Sequence, residues 1–170
     1  MEKPRALDIG CSGGRYLQAL LNSGFDSHGL DTGLTPLRYA KAKIENGNFY
    51  QGSIAALPFK KETFDLVICV ELLHHLTDKV LKNALGQISG ILKPGGLFVF
   101  DVKNSLNPYL WWRYKKEDSI KFTLKTRSTY EMTRLVEQVG FRVIRKKGIF
   151  FPVTLFAPFV IVLCRRIKGL

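Results

Sequence analysis

Ala6-Leu-Asp-Ile-Gly-Cys-Ser-Gly-Gly-Arg-Tyr16, followed by an acid at Asp31, is the stretch whose reading decides the fold. A short apolar run carries an acid, passes into a glycine-rich turn and continues with helical spacing. That order describes a strand delivering a ligand-binding loop to a helix N-terminus, where unpaired backbone N–H groups collect. Asp8 then narrows the ligand. A nucleotide or dinucleotide would bring phosphates to this turn, and a carboxylate repels them. A positively charged ligand without phosphate suits the residues better.

Outward from that loop, apolar runs alternate with helical patterns, which implies parallel strands joined by crossover helices. The first strand covers Arg5–Ile9, and a helix follows from about Gly14 to Ser23. Ser27–Leu30 is the second strand, ending at Asp31. Thr35-Pro36 starts a helix, with Thr35 as its cap and Pro36 in its first turn, running to near Gly47. Asn48–Gln51 and Phe64–Val70 are strands three and four. Thr77 caps a helix to about Leu92, and Lys93-Pro-Gly-Gly96 ends it. Leu97–Val102 is strand five. Ser128 and Glu131 form a capping box that opens a helix to about Val139. Phe141–Phe150 and Phe159–Arg165 are the last two strands, close enough in sequence to pair antiparallel.

S-adenosylmethionine carries an ammonium and a sulfonium and no phosphate, which matches what Asp8 asks for. Six segments stand in order: LDIGCSGG (7–14), GLDTG (29–33), GSIAALPF (52–59), FDLVICVELLHHL (64–76), LKPGGLFVFDV (92–102) and Gly140-Phe141. Together they resemble the class I S-adenosylmethionine-dependent methyltransferases, in the small-molecule branch typified by quinone-biosynthesis enzymes. The resemblance implies an α/β, Rossmann-like, doubly wound sheet of seven strands in the order 3-2-1-4-5-7-6, with the last strand antiparallel. It also implies one methyltransferase domain over residues 1–170 and S-adenosylmethionine as cofactor.

The residue roles come from the same resemblance. Asp8, Gly10, Ser12 and Gly13 match the loop that holds the methionine end of the cofactor. Asp31, with Thr32 beside it, matches the acid that accepts the two ribose hydroxyls, a task suited to a carboxylate's several lone pairs. Ser53, Ile54 and Ala55 match the loop that edges the adenine. Val70 and Glu71 match the end of strand four beside the transferred methyl, and His75 matches a histidine just beyond it. Ser12 stands where the family usually has glycine, and Ser53 where it often has Asp. Family members usually carry cover helices before strand one, whereas this chain opens four residues before it, so those helices are expected to be absent.

Composition limits the alternatives. A chain of 170 residues with 46% hydrophobic and 24% charged residues supports one globular core. Its three cysteines, Cys11, Cys69 and Cys164, form no C-x-x-C pair and point to a reducing, cytoplasmic setting. Nothing resembles a signal peptide. The apolar stretch Ile149–Cys164 is short for a membrane span, and Pro152 and Pro158 interrupt it.

The net charge of +12 is uneven: residues 103–147 hold 12 Lys and Arg against 4 Asp and Glu, whereas residues 1–102 are nearly balanced. A basic segment suits an anionic partner or membrane surface. Nucleic acid fits less well, because Val70-Glu-Leu-Leu stands where many amino-group nucleic-acid methyltransferases carry N/D-P-P-Y/F. Methyl transfer to a small-molecule or lipid-like acceptor is the expected activity. The rivals are a binding module or heteromer subunit, and an RNA methyltransferase. His74 and His75 lie where a general base would serve a hydroxyl acceptor, and His75 is the expected one. The histidines lack metal-ligand spacing. Pro108–Lys116, with Trp111 and Trp112, mixes aromatics and cations and is read as a lid or a packed insertion.

Overall fold

A computed structural model describes residues 2–110, 112, 125–150, 155 and 157–167. Its elements are β1 (Arg5–Ile9), α1 (Arg15–Asn22), β2 (Asp26–Asp31), α2 (Leu34–Lys43), β3 (Asn48–Gln51) and β4 (Phe64–Cys69). After a 3₁₀ turn at Leu73–His75 come α3 (Asp78–Ile91), β5 (Leu92–Lys103), α4 (Thr129–Gln138), β6 (Phe141–Ile149) and β7 (Phe159–Arg166). The strands form one sheet in the order β3-β2-β1-β4-β5-β7-β6. Neighbours from β3 to β5 pair parallel. β7 runs antiparallel to both β5 and β6. The expected order and the reversed last strand are both present.

The central strands β1, β4 and β5 are largely apolar on both sides because helices cover both faces, whereas the edge strand β3 is mostly exposed. Leu7, Val67, Phe98 and Phe100 pack with Leu85 and Ile88 of α3 and Val136 of α4 in the main core. On the other face α1 lies so close that a Cβ on Gly29 would stand 3.2 Å from Leu17 and 2.8 Å from the Cys11 sulfur. The sheet order reverses between β1 and β4, so the crevice beyond their carboxyl ends is where such folds bind ligands.

Local chemistry explains most element ends. Thr77 accepts from the Val80 amide and Ser128 from the Glu131 amide, so both helices have the expected caps. Gly24 and Gly140 adopt positive φ where α1 and α4 stop.

Two expectations are corrected. Thr35 is not a cap: α2 begins at Leu34 behind Gly33 and ends at Lys43 rather than near Gly47. No side chain caps α2, and the Asp31 carboxylate accepts the amide of Gly33, the residue that precedes the helix. Lys93-Pro-Gly-Gly96 is not a break between helix and strand. β5 already starts at Leu92, opposite Phe64, and resumes a shifted register at Leu66–Leu97, with Gly95 at φ +84° absorbing the shift.

Among the described residues no helix is long and apolar enough to cross a membrane. Trp111, residues 113–124, 151–154 and 156 lie outside the described residues, so the expected aromatic lid and the turn before β7 fall largely outside as well. Of that segment, Leu110 is buried and Trp112 is exposed.

Candidate functional site

The glycine loop is built on left-handed backbone. Gly10 has φ +79°, Ser12 φ +45° and Gly14 φ +81°. Glycine adopts this region freely, whereas serine is held there at some cost in strain. The amides of Gly10 and Cys11 both donate to the Leu30 carbonyl, which bolts the loop to the end of β2. Asp31 completes the tie. Its Oδ2 accepts from the Ser12 amide at 2.9 Å and its Oδ1 from the Gly33 amide at 2.8 Å. A carboxylate has about four acceptor positions, so lone pairs remain for a ligand's hydroxyls.

Beyond this loop lies a cleft of about 410 Å³. Gly10, Ser12, Asp31, Thr32, Ser53, Ile54, Val70 and Glu71 all line it, which brings together eight of the eleven residues expected to bind cofactor. The other three lie off its surface. Asp8 is buried beneath the loop. Gly13 faces the Tyr39 ring. Ala55 turns its carbonyl to the side-chain amides of Asn83 and Gln87, which hold the loop between β3 and β4 against α3. Leu72 and Leu76 also line the cleft and were not singled out from the sequence; both follow β4 at the spacing of a turn that folds back over the site.

Asp8 is 1% exposed, and its Oδ2 has no hydrogen-bond partner. An unpaired buried carboxylate is costly, and the group responds by holding its proton. Burial, then the nearby Asp31 charge, push its pKa up to about 7, against a smaller opposing pull from Arg15. An ammonium or sulfonium nearby would relieve both effects. The donor set therefore fits a cationic ligand with ribose hydroxyls and does not fit a pyrophosphate. Cys11 in the same loop is buried, and its thiol is pushed up to about 12, so it serves as packing rather than as a nucleophile.

The far wall is strained too. Glu71, at φ +62°, ends the β4 side and donates its amide to Asp101 Oδ1 at 2.6 Å. Asp101 is buried in β5, and burial raises its pKa. An acid inside the apolar run Leu97–Val102 was the signal that should have marked it.

His75 is exposed and lies off the lining of the cleft. Burial of part of its ring and the Lys103 charge lower its pKa. Its neighbour His74 is the buried one, with neither ring nitrogen hydrogen-bonded. Asp65, by contrast, is structural: it accepts from the Arg5 amide and pairs with Lys93 at 2.8 Å.

A larger cavity, about 780 Å³, opens at the amino ends of β1 and β2 among Lys3, Gln18, Asp26, Lys43 and Glu45. No orphaned buried group faces it, and it lies at the end of the sheet opposite the strand crossover. The described residues include no cluster of His, Cys, Asp or Glu able to hold a metal ion.

Residues 7–100 match the family described as methyltransferase domain. An uncharacterized methyltransferase of Synechocystis is 30% identical over 145 residues, covering 84% of this chain and 68% of that protein. The ubiquinone biosynthesis O-methyltransferase of Coxiella burnetii is 29% identical over 159 residues, covering 85% of this chain and 66% of that protein. The chain thus spans about two thirds of the length of these relatives. Among solved structures, an S-adenosylmethionine-dependent methyltransferase from Mesorhizobium loti superposes with a TM-score of 0.77. It is 19% identical, over 95% of this chain and 90% of that one.

Proposed function

Because this chain belongs to the methyltransferase domain family, we propose that it binds S-adenosylmethionine in the cleft between the glycine loop and Glu71 and directs its methyl group to a small-molecule or lipid-like acceptor. Residues 1–170 then act as one methyltransferase domain. The observation that carries this reading is the buried, unpartnered oxygen of Asp8 beside the Asp31 carboxylate. Two acids held that close to an amide-rich loop favour a cationic, phosphate-free ligand.

The cofactor supplies a methyl group on a sulfonium, already activated toward a nucleophile. The chain's own residues then orient and exclude water. Gly10 and Ser12 hold the amino-acid end above the buried Asp8 carboxylate, Asp31 and Thr32 the ribose, and Ser53 and Ile54 the adenine, while Gly13 and Ala55 brace their loops from off the cleft surface. Val70 and Glu71 border the reacting end. His75, exposed just off the cleft lining, is the group assigned to take the proton of a hydroxyl acceptor that reaches past the cleft's edge. Its lowered pKa keeps the ring neutral at pH 7, as a base requires. The small-molecule acceptor is supported by the quinone-modifying relative. The free, buried thiols support a reducing, cytoplasmic setting.

Calorimetry with S-adenosylhomocysteine tests the assignment. Asp31→Ala should weaken binding by about 1–3 kcal/mol, roughly five- to 150-fold, through lost charge-assisted hydrogen bonds. Unchanged affinity would remove Asp31 from the ribose. His75→Ala should keep that affinity and lower kcat.

A further inference from the structure

The wall formed by Glu71 and Asp101 has a second side. Behind it, between the turn after β4 and the end of β5, His74, Asp101, Lys103, Lys125 and Arg127 enclose a small pocket together with Met132 of α4. Three of these residues are cations. Arg127 is 5% exposed and fixed in place: it donates to the carbonyls of Leu73 and Leu76 and pairs with Asp78 at 2.7 Å. Lys125 shares Asp78 at 3.2 Å. Lys103 ends in no ion pair among the described residues. Of the two acids at hand, Asp78 stands outside the pocket, whereas Asp101 lines it with its Oδ1 held by the Glu71 amide, so the three cations outnumber the one acid of the lining.

His74 supplies the independent sign of a ligand. It is 95% buried, it lines this pocket, and neither Nδ1 nor Nε2 has a partner. A buried imidazole with both nitrogens unpaired forfeits a donor and an acceptor. The space measures about 10 Å³, the size of one water-sized atom. It therefore admits a single oxygen, with the rest of the molecule lying toward half-buried Lys103 and exposed Lys125.

We propose that this pocket receives one oxygen of an anionic group, a carboxylate or phosphate, carried by the methyl acceptor. His74 donates to that oxygen through one ring nitrogen, and Lys103 and Lys125 neutralise its charge. The site lies one hydrogen bond, Glu71 to Asp101, from the cofactor cleft. The acceptor's anchor and its methylated atom then sit on opposite sides of that link. The existence of the anion site stands by itself, while its assignment to the acceptor rests on the methyl-transfer reading above.

The test uses the whole chain labelled with ¹⁵N-histidine, with the His74 ring signals assigned by loss in His74→Gln. Benzoate, inorganic phosphate and benzamide are titrated separately. Benzoate or phosphate should shift the His74 ring signals saturably, and the tighter of the two identifies the anion class. Benzamide, the neutral counterpart of benzoate, should not. Lys103→Met should weaken the anion at least fivefold and leave S-adenosylhomocysteine affinity within twofold. Lys125→Met serves if that variant does not fold.

Silence of His74 toward both anions, an equal response to benzamide, or a response indifferent to both lysine changes would each overturn the site. If S-adenosylhomocysteine fails to bind while the anions still move His74, the methyl-transfer reading falls and the anion site survives. If it binds and the anions do nothing, the opposite holds.

Discussion

Asp8 and His74 sit on opposite sides of the Glu71–Asp101 link and are mirror images in charge. Each is almost fully buried, and each has polar atoms without partners. Burial pushes both toward their neutral forms, Asp8 up to about 7 and His74 down to about 3. The neighbours reinforce the push with the same sign as the buried group: Asp31 beside Asp8, and Lys103, His75 and Arg127 beside His74. A charged group surrounded by its own sign is stabilised by a ligand of the opposite sign. This pattern matches the proposed cation on one side of the wall and the proposed anion on the other.

The strongest way to break this symmetry is Asp8→Asn. An acid whose pKa is raised in the folded state holds its proton where the unfolded chain has released it. Its favourable contribution is complete below the ordinary value of 3.8 and is lost as pH climbs through about 7. That loss amounts to at most about 4 kcal/mol. Urea denaturation at pH 4 to 8 should show the wild type losing stability over this window relative to Asp8→Asn, with the difference level above pH 7. Binding should move the other way. Wild-type affinity for S-adenosylhomocysteine should rise toward pH 7, and the variant's should stay low and flat. A pH-independent difference between the two proteins would mean that Asp8 does not titrate there, and the comparison would lose its acidic half.

The next largest effect tests whether the acidic side depends on its loop. Gly14 adopts φ +81°, and a Cβ there would stand 2.5 Å from Ile44 Cδ1 and 3.3 Å from Ala40 Cβ. Gly14→Ala combines a left-handed backbone penalty with crowding against α2, together about 2–3 kcal/mol. The urea midpoint should fall accordingly at an unchanged slope. An unchanged midpoint would show that the loop relaxes freely and that its rigidity does not shape the cleft.

The two sides were unequally legible in the sequence, for physical reasons. On the acidic side the partners are close along the chain or follow fixed strand spacing. Asp8, Gly10, Ser12 and Asp31 meet because β1 and β2 pair in parallel register, so the glycine pattern and the acid after strand two were enough to place them. The basic side is assembled from afar. Arg127 reaches the turn after β4 across some fifty positions to bond Leu73 and Leu76. No periodicity carries such a contact. The sequence reading chose His75 as the base, and only folding shows that His74 is the buried one. The surplus of Lys and Arg in 103–147 includes Lys103, Lys125 and Arg127, the three cations of the proposed anion site. The strand order was readable because helix caps such as Thr77 and Ser128 and apolar runs such as Leu97–Val102 are local signals. Thr35 was misread because α2 starts one residue earlier, behind Gly33 and without a side-chain cap, which puts Thr35 and Pro36 together inside its first turn.

The smallest effect belongs to the basic side and separates its scaffold from its charge. Ser128 Oγ accepts the Glu131 amide at 3.1 Å and starts α4, which brings Met132 to the pocket's edge. Ser128→Ala removes that cap and should cost about 1 kcal/mol, visible as a lower urea midpoint. It removes no charge from around His74, and the affinity of S-adenosylhomocysteine across the wall should be unchanged. If that affinity falls with the cap, the two sides are coupled through α3 and the Glu71–Asp101 link. They would then respond as one site, not as two neighbours of opposite sign.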